Sequence, residues 1–362
     1  MQLLPGSTNS ITDVEGIRVG SVEHETLLTG TTVVVPTKAC TTGVSVSGGA
    51  PGSRETDALR SDCLVGLSHA VFLSGGSVFG LDAGSGIAQV LTQQGQGFNA
   101  FRPHGVPAVP IVPGCVLFDL GNGGNWKESD EFISPYHELG RKACLEALRQ
   151  EPFASIRLGN VGAGSGARAG AYKGGLGSAS AIEERGRLQV GALMAVNSYG
   201  SPVIPGSDIL WASFWEQNRE MGGIREQLYQ SFHPSKFCLP LGVVEDCKSS
   251  MTVHENTVIG VVATNAALLP AEAERVAIMA HDGIARSIKP SHTLVDGDAV
   301  FVLATGNYSL PTVQEGNIHR ARMVSLIGAI AADCVTRSIG RAIWEAKSSG
   351  VYLSYRDYFK KE

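Results

Sequence analysis

Through the first third of the chain, short apolar runs rich in β-branched residues alternate with glycine-containing turns. Gly-Thr-Thr-Val-Val-Val at 30–35 and Thr-Gly-Val-Ser-Val-Ser at 42–47 read as strands, and residues 70–73 as a buried strand. Residues 48–56 read as a loop by composition, and 79–94 as a helical stretch. Residues 109–120 read as strand material, although they include Pro110 and Pro113. Leu139, Ala143, Ala147 and Leu148 fall at helical spacing within 138–150. The run 188–196 reads as a strand ending at Asn197, and 206–250 as irregular and more polar. Beyond Asn256 the pattern sharpens. A strand is expected at 257–264, a helix at 270–288 with Pro270 near its start, and a strand at 299–304. One long or two consecutive alanine-rich helices are expected over 318–348. Helices follow groups of strands, which implies stacked α and β layers rather than a βαβ repeat.

Composition narrows the class. The chain has 362 residues, 43% hydrophobic and 17% charged, as expected of a globular protein. A formal net charge of −5 without a basic stripe argues against nucleic acid or a membrane surface as partner. No run of 18 apolar residues is seen, and the N-terminus lacks the basic and apolar regions of a signal peptide. Seven scattered cysteines without a Cys-x-x-Cys pair fit reduced thiols and a cytoplasmic location. The 45 glycines cluster beside apolar runs, so they imply tight turns or close backbone approach.

Four features carry candidate chemistry. Asn256-Thr257 heads the strand 257–264. It reads either as a loop-to-strand junction or as a cleavage site in an exposed linker, 243–255. Cleavage there would put a hydroxyl nucleophile and a free α-amine in one residue, Thr257. Ser249, Ser250 and Thr252 are competing nucleophiles. Asp296-Gly-Asp298 reads as a turn before a strand, or as a carboxylate pair able to tune proton transfer. The stretch 159–170 contains Gly162-x-Gly164 but neither a dinucleotide fingerprint nor a Walker loop. It suits backbone lying close to a small substrate, with Lys173 after it as a cation or a solvated loop lysine. Asn197 reads as a turn residue or as an oxyanion donor.

Taken together, these stretches resemble the DmpA and β-peptidyl aminopeptidase family, which includes the nylon-oligomer (6-aminohexanoate oligomer) endo-hydrolases. The resemblance rests on Gly-Gly-Ala-Pro-Gly-Ser-Arg-Glu-Thr-Asp at 48–57, Leu-Ser-Gly-Gly-Ser-Val-Phe-Gly-Leu at 73–81 and Val-Pro-Ile-Val-Pro at 109–113. It rests also on Gly-Asn-Val-Gly-Ala-Gly-Ser-Gly at 159–166, Lys-Gly-Gly-Leu-Gly-Ser-Ala-Ser at 173–180, the 256–265 segment and Asp296-Gly-Asp298. It implies an α/β fold, an αββα sandwich like that of N-terminal-nucleophile hydrolases and ornithine acetyltransferases. It implies one catalytic domain, 1–362, that cuts itself into fragments 1–256 and 257–362. The nucleophile then falls on Thr257, the acidic pair on Asp296 and Asp298, and the oxyanion donor on Asn197; for the lysine that some relatives use in the glycine-rich region, Lys173 is the nearest candidate. Some relatives carry a tyrosine in the segment where this chain has Phe118, a substrate-binding candidate with Gly162 and Gly164. The implied activity is an aminopeptidase or amidase acting on small peptides, amides or esters, without metal or organic cofactor, as a homotetramer of cleaved protomers. Endo-hydrolysis of 6-aminohexanoate oligomers, acyl transfer as in ornithine acetyltransferases, and an unprocessed binding protein are the alternatives.

Overall fold

The computed structural model describes residues 2–98, 105–126, 132–185, 187–223, 246–248, 256–312 and 317–359. Among these, fourteen strands form two main sheets and one small hairpin. The first sheet contains, in spatial order, β1 (Leu3–Leu4), β11 (Gly175–Glu183), β12 (Gln189–Asn197), β13 (Thr257–Ala266), β14 (Ala299–Tyr308), β4 (Cys40–Val46) and β6 (Leu67–Ser68). The second contains β2 (Ile17–His24), β3 (Thr29–Pro36), β7 (Val71–Ser74), β8 (Gly114–Val116) and β5 (Ser53–Arg54). β9 (Arg168–Ala169) and β10 (Tyr172–Lys173) pair by themselves. Neighbours are antiparallel except β13 with β14 and β7 with β8.

Helices close both outer faces. α1 (Ala83–Gln93) and α2 (Tyr136–Arg149) cover the five-stranded sheet. α3 (Pro270–Ser287) and α4 (Asn317–Glu345) cover the seven-stranded sheet, and a short α5 (Tyr355–Phe359) ends the described chain. The result has the stacked layers that the pattern of elements implied, in the αββα order that the family resemblance implied. Pro270 opens α3, where its missing N–H is one the helix leaves unpaired anyway, and Glu272 accepts the N–H of Leu269 at 2.8 Å. α4 is long and apolar enough to cross a bilayer by length and composition, although polar residues interrupt its apolar positions. Here it is a core helix, with 72% of its most apolar window buried.

β13 shows how the layers are specified. All ten of its residues are buried, as expected of a central strand covered on both faces. Val258, Val262 and Ala266 pack towards α3 and α4, whereas Ile259, Val261 and Ala263 enter the core between the sheets. On the same alternation, Thr257 and its cross-strand partner Asn197 fall on the face between the sheets.

Two expectations need correction, and one strand goes unmarked in the sequence. Within 109–120 only Gly114–Val116 is a strand, because Pro110 and Pro113 lack the N–H that a ladder needs. The loop 48–56 contains the two-residue strand β5. β11, a nine-residue strand, is one the pattern along the chain does not mark. Its small residues are what let α4 lie flush on the sheet: a Cβ on Gly177 would stand 2.0 Å from the Ser338 carbonyl oxygen.

Candidate active site

Thr257 begins β13, and Asn197 ends β12 directly opposite it. Asn256 pairs in parallel with Asp296, in the turn that leads into β14. This register brings Thr257, Asn197, Asp296 and Asp298 together. All are buried, and Asn256 is 0% exposed, so the junction is not an open loop. Of the expected exposed linker 243–255 only 246–248 are described, and there Asp246 and Cys247 are half-buried and Lys248 is buried. Ser249, Ser250 and Thr252 lie outside the described residues.

The Asn256 carbonyl oxygen is the centre of the geometry. The Thr257 hydroxyl donates to it, and so does the Gly297 N–H, at 2.9 Å. Gly297 has to be glycine here, since a Cβ would stand 2.7 Å from the Thr257 hydroxyl oxygen. The side-chain amide of Asn256 is buried with no hydrogen-bond partner among the described residues.

On one side lie the carboxylates. Asp298 Oδ1 accepts the Val258 N–H at 2.7 Å, and Oδ2 accepts the backbone N–H and Nδ1 of His292 at 3.1 and 2.7 Å. Asp296 Oδ2 accepts the N–H and hydroxyl of Thr293 at 2.9 and 2.5 Å, and Oδ1 the Tyr199 N–H at 3.3 Å. Burial, followed by the charge of Asp298, raises the Asp296 pKa, while the Thr293 bonds oppose that rise.

On the other side lies a net of amides and carbonyls. Asn197 Nδ2 donates to the Phe118 carbonyl at 2.9 Å. Asn197 Oδ1 accepts the Arg168 N–H at 2.9 Å, Lys248 Nζ at 3.2 Å and Asn122 Nδ2 at 3.3 Å. Three donors on that oxygen fix which way the amide points. The Ala167–Arg168 peptide links Asn197 to Lys173, because the Ala167 carbonyl accepts Lys173 Nζ at 2.7 Å. Lys173 is buried and also donates to the carbonyls of Gly174 and Gly164, so it is not a solvated loop lysine. Burial pulls its pKa down to about 7, with the charge of Asp119 opposing. Asp119 is pushed up to about 7 by burial. It holds the Gly76 N–H at 2.8 Å and the Thr29 hydroxyl at 2.7 Å, and so anchors the segment carrying Phe118.

A cavity of about 390 Å³ opens onto Thr257, walled by Pro51, Val78, Leu81, Val116 and Phe118, with Ser53 and Ser77 as polar points. Gly162 and Gly164 are expected beside a substrate, but they pack against protein. A Cβ would meet Thr32 Oγ1 at 2.1 Å from Gly162, and the Leu176 nitrogen at 2.1 Å from Gly164. The close approach that these glycines permit is that of the 162–164 segment onto β2 and β3 on one side and β11 on the other. Among the described residues no group of three or more His, Cys, Asp or Glu side chains gathers as a metal site.

Sequence reading missed His292, Thr293, Asn122 and Lys248. His292 stands four residues before Asp296, a proximity visible in the chain, whereas Asn122 and Lys248 reach the site only through the fold.

Comparison with known proteins identifies the family and the fold. The profile of Peptidase family S58 matches residues 9–352. The chain belongs to peptidase family S58. An uncharacterised aminopeptidase of Mycobacterium tuberculosis is 38% identical, covering 97% of this chain and 98% of that protein. A 6-aminohexanoate-oligomer endohydrolase of Paenarthrobacter ureafaciens is 27% identical, covering 89% of this chain and 82% of that protein. In fold the chain is similar to the L-aminopeptidase D-Ala-esterase/amidase of Ochrobactrum anthropi, described as a variant of the Ntn hydrolase fold. The TM-score is 0.66 at 19% identity, over 100% of this chain and 97% of that one. A Burkholderia sp. β-aminopeptidase aligns with a TM-score of 0.63 at 22% identity, over 98% of this chain and 92% of that one. The fold is thus a layered sandwich of the Ntn hydrolase type, and family membership makes the protein a hydrolase of peptide or amide bonds.

Proposed function

We propose that the chain is a self-processing aminopeptidase or amidase whose nucleophile is Thr257, exposed as a new N-terminus by cleavage of the Asn256–Thr257 bond. The observation that carries this is the meeting of the Thr257 hydroxyl and the Gly297 N–H on the Asn256 carbonyl oxygen. The N–H polarises that carbonyl for attack by the adjacent hydroxyl. Attack forms the Oγ1–C bond and breaks the C–N bond, giving an ester and a free amine, and water then hydrolyses the ester. Fragments 1–256 and 257–362 stay associated because β12 pairs with β13, and β4 with β14, across the division.

In the processed enzyme Thr257 Oγ1 attacks the substrate carbonyl, and the α-amine takes the hydroxyl proton. An unperturbed α-amine titrates at about 7.7–8.0, which suits a base near neutral pH. Asp296 and Asp298 orient that amine. Asn197 donates to the oxyanion, and Lys173 positions Asn197 through the Ala167–Arg168 peptide. The apolar wall with Phe118 receives the acyl side of a small peptide or amide. A second reading, endo-hydrolysis of 6-aminohexanoate oligomers, is favoured by the absence of a charged side chain in the described cavity lining. The assembly we propose is a homotetramer of cleaved protomers, checked by light scattering.

Denaturing gels of incubated protein should show bands of roughly 27 and 11 kDa, scaled by length, with the small one beginning at Thr257. A single full-length band, or a small fragment beginning elsewhere, overturns the reading. p-Nitroanilides of α- and β-amino acids assayed beside 6-aminohexanoate oligomers separate the two substrate classes.

A further inference from the structure

We propose that His292 is a positioning residue that compensates the charge of Asp298 and thereby sets the basicity of the Thr257 amine in the processed enzyme. The inference rests on the nucleophile reading above and deepens it.

His292 lies in the turn before Asp296, with φ +55, a left-handed conformation that histidine, like asparagine and aspartate, adopts more readily than other side chains. That backbone turns both its N–H and its ring Nδ1 onto the same oxygen, Asp298 Oδ2, at 3.1 and 2.7 Å. The other oxygen of Asp298 holds the N–H of Val258, the residue after the nucleophile. One carboxylate therefore ties the imidazole to the backbone beside the future amine. The Asp298 side chain is 1% exposed and that of His292 22%, so solvent screens the pair weakly.

Among the described residues, the charged and titratable groups around His292 are few. Asp298 and Asp296 face it from its own segment. From α3 comes His281, whose ring meets the His292 ring edge-on at 4.9 Å, with Asp282 beside it. His281 Nε2 lies 3.0 Å from the Ser45 carbonyl, and burial lowers its pKa, so it stands as a neutral neighbour. Burial of His292 opposes its protonation, but the bond to Asp298 and the charge of Asp298 outweigh it and raise its pKa. The bond to Asp298 thus favours the imidazolium, against burial and an Nε2 that has no hydrogen-bond partner among the described residues.

The consequence has a definite sign. An imidazolium on Asp298 offsets the negative charge that would otherwise stabilise the Thr257 ammonium. The amine then deprotonates at lower pH and serves as base over a wider range. Removing the imidazolium while keeping the hydrogen bond raises the amine pKa.

His292→Asn tests this, because asparagine tolerates the left-handed backbone and its amide still donates to Asp298. The acidic limb of the kcat/KM profile should move up by about one pH unit, about a tenfold loss below the limb. A uniform loss at all pH values with an unmoved limb, or a limb moving down, overturns the proposal. If the variant does not fold, NMR titration of His292 in the wild type decides. Its pKa should lie above the ordinary value and fall in Asp298→Asn; a value at or below the ordinary one overturns the proposal. A processed enzyme with an unmoved limb defeats only the role of His292. Failure to find a chain beginning at Thr257 defeats the nucleophile reading as well.

Discussion

The two flanks of Thr257 are built in different ways. The acidic flank is local: His292, Thr293, Asp296, Gly297 and Asp298 lie within seven consecutive residues and bond mostly to one another. The amide flank is assembled from afar. The partners of Asn197 are Phe118, 79 residues away, Asn122, 75 away, Lys248, 51 away, and Arg168, 29 away. The acidic flank brings ionisable groups that can hold or move a proton. The amide flank presents neutral dipoles, backed by lysines bonded to carbonyls, which suits stabilisation of an oxyanion. A chemical division of labour thus follows a topological one.

The comparison can be broken by substitution. Thr257→Ala removes the group between the flanks. Processing should stop, seen as a single band, and hydrolysis should fall on the order of 10⁴-fold or more. Asp298→Asn strikes the acidic flank. Activity should fall on the order of 10³-fold, with a changed pH profile of kcat/KM. Asn197→Ala strikes the amide flank. It should lower kcat by about 10²-fold without displacing the pH limbs, which separates an oxyanion donor from a proton-handling group. It should also destabilise the fold by about 1–3 kcal/mol in chemical denaturation, because the Phe118 carbonyl and Lys248 lose a partner.

Lys173→Met has the smallest expected effect and tests the support behind the amide flank. Lys173 titrates at about 7 in the folded chain, against 10.5 for an ordinary lysine. Between those limits the unfolded chain binds a proton that the folded chain does not, so stability rises with pH across that window. Urea midpoints measured near the two ends of the window should show this rise in the wild type and a weaker one in the methionine variant. An equal rise in both would remove Lys173 from the account.

Much of this was legible along the chain. The strands at 257–264 and 299–304 and the helix at 270–288 are long, strongly patterned and flanked by clear punctuation, and the structure has them within a few residues. Asp296-Gly-Asp298 was visible as a pair because its members are adjacent. β11 was hidden because its small residues satisfy a helix packed on them rather than a β propensity. Gly162 and Gly164 were misplaced because glycine signals close approach without saying what approaches.

What the sequence determined by itself is whatever depends on near neighbours: the apolar alternation of β13, the proline start of α3, and the acidic turn before β14. The tertiary structure decided the rest. Strand register alone sets Asn197 opposite Thr257, and Asn256 beside Asp296. It also buries Lys173 and Lys248 against carbonyls that no spacing rule connects to them. The physical reason is that a hydrogen bond needs two groups within about 3 Å, and only the pairing of distant strands brings residues so far apart in the chain to that distance.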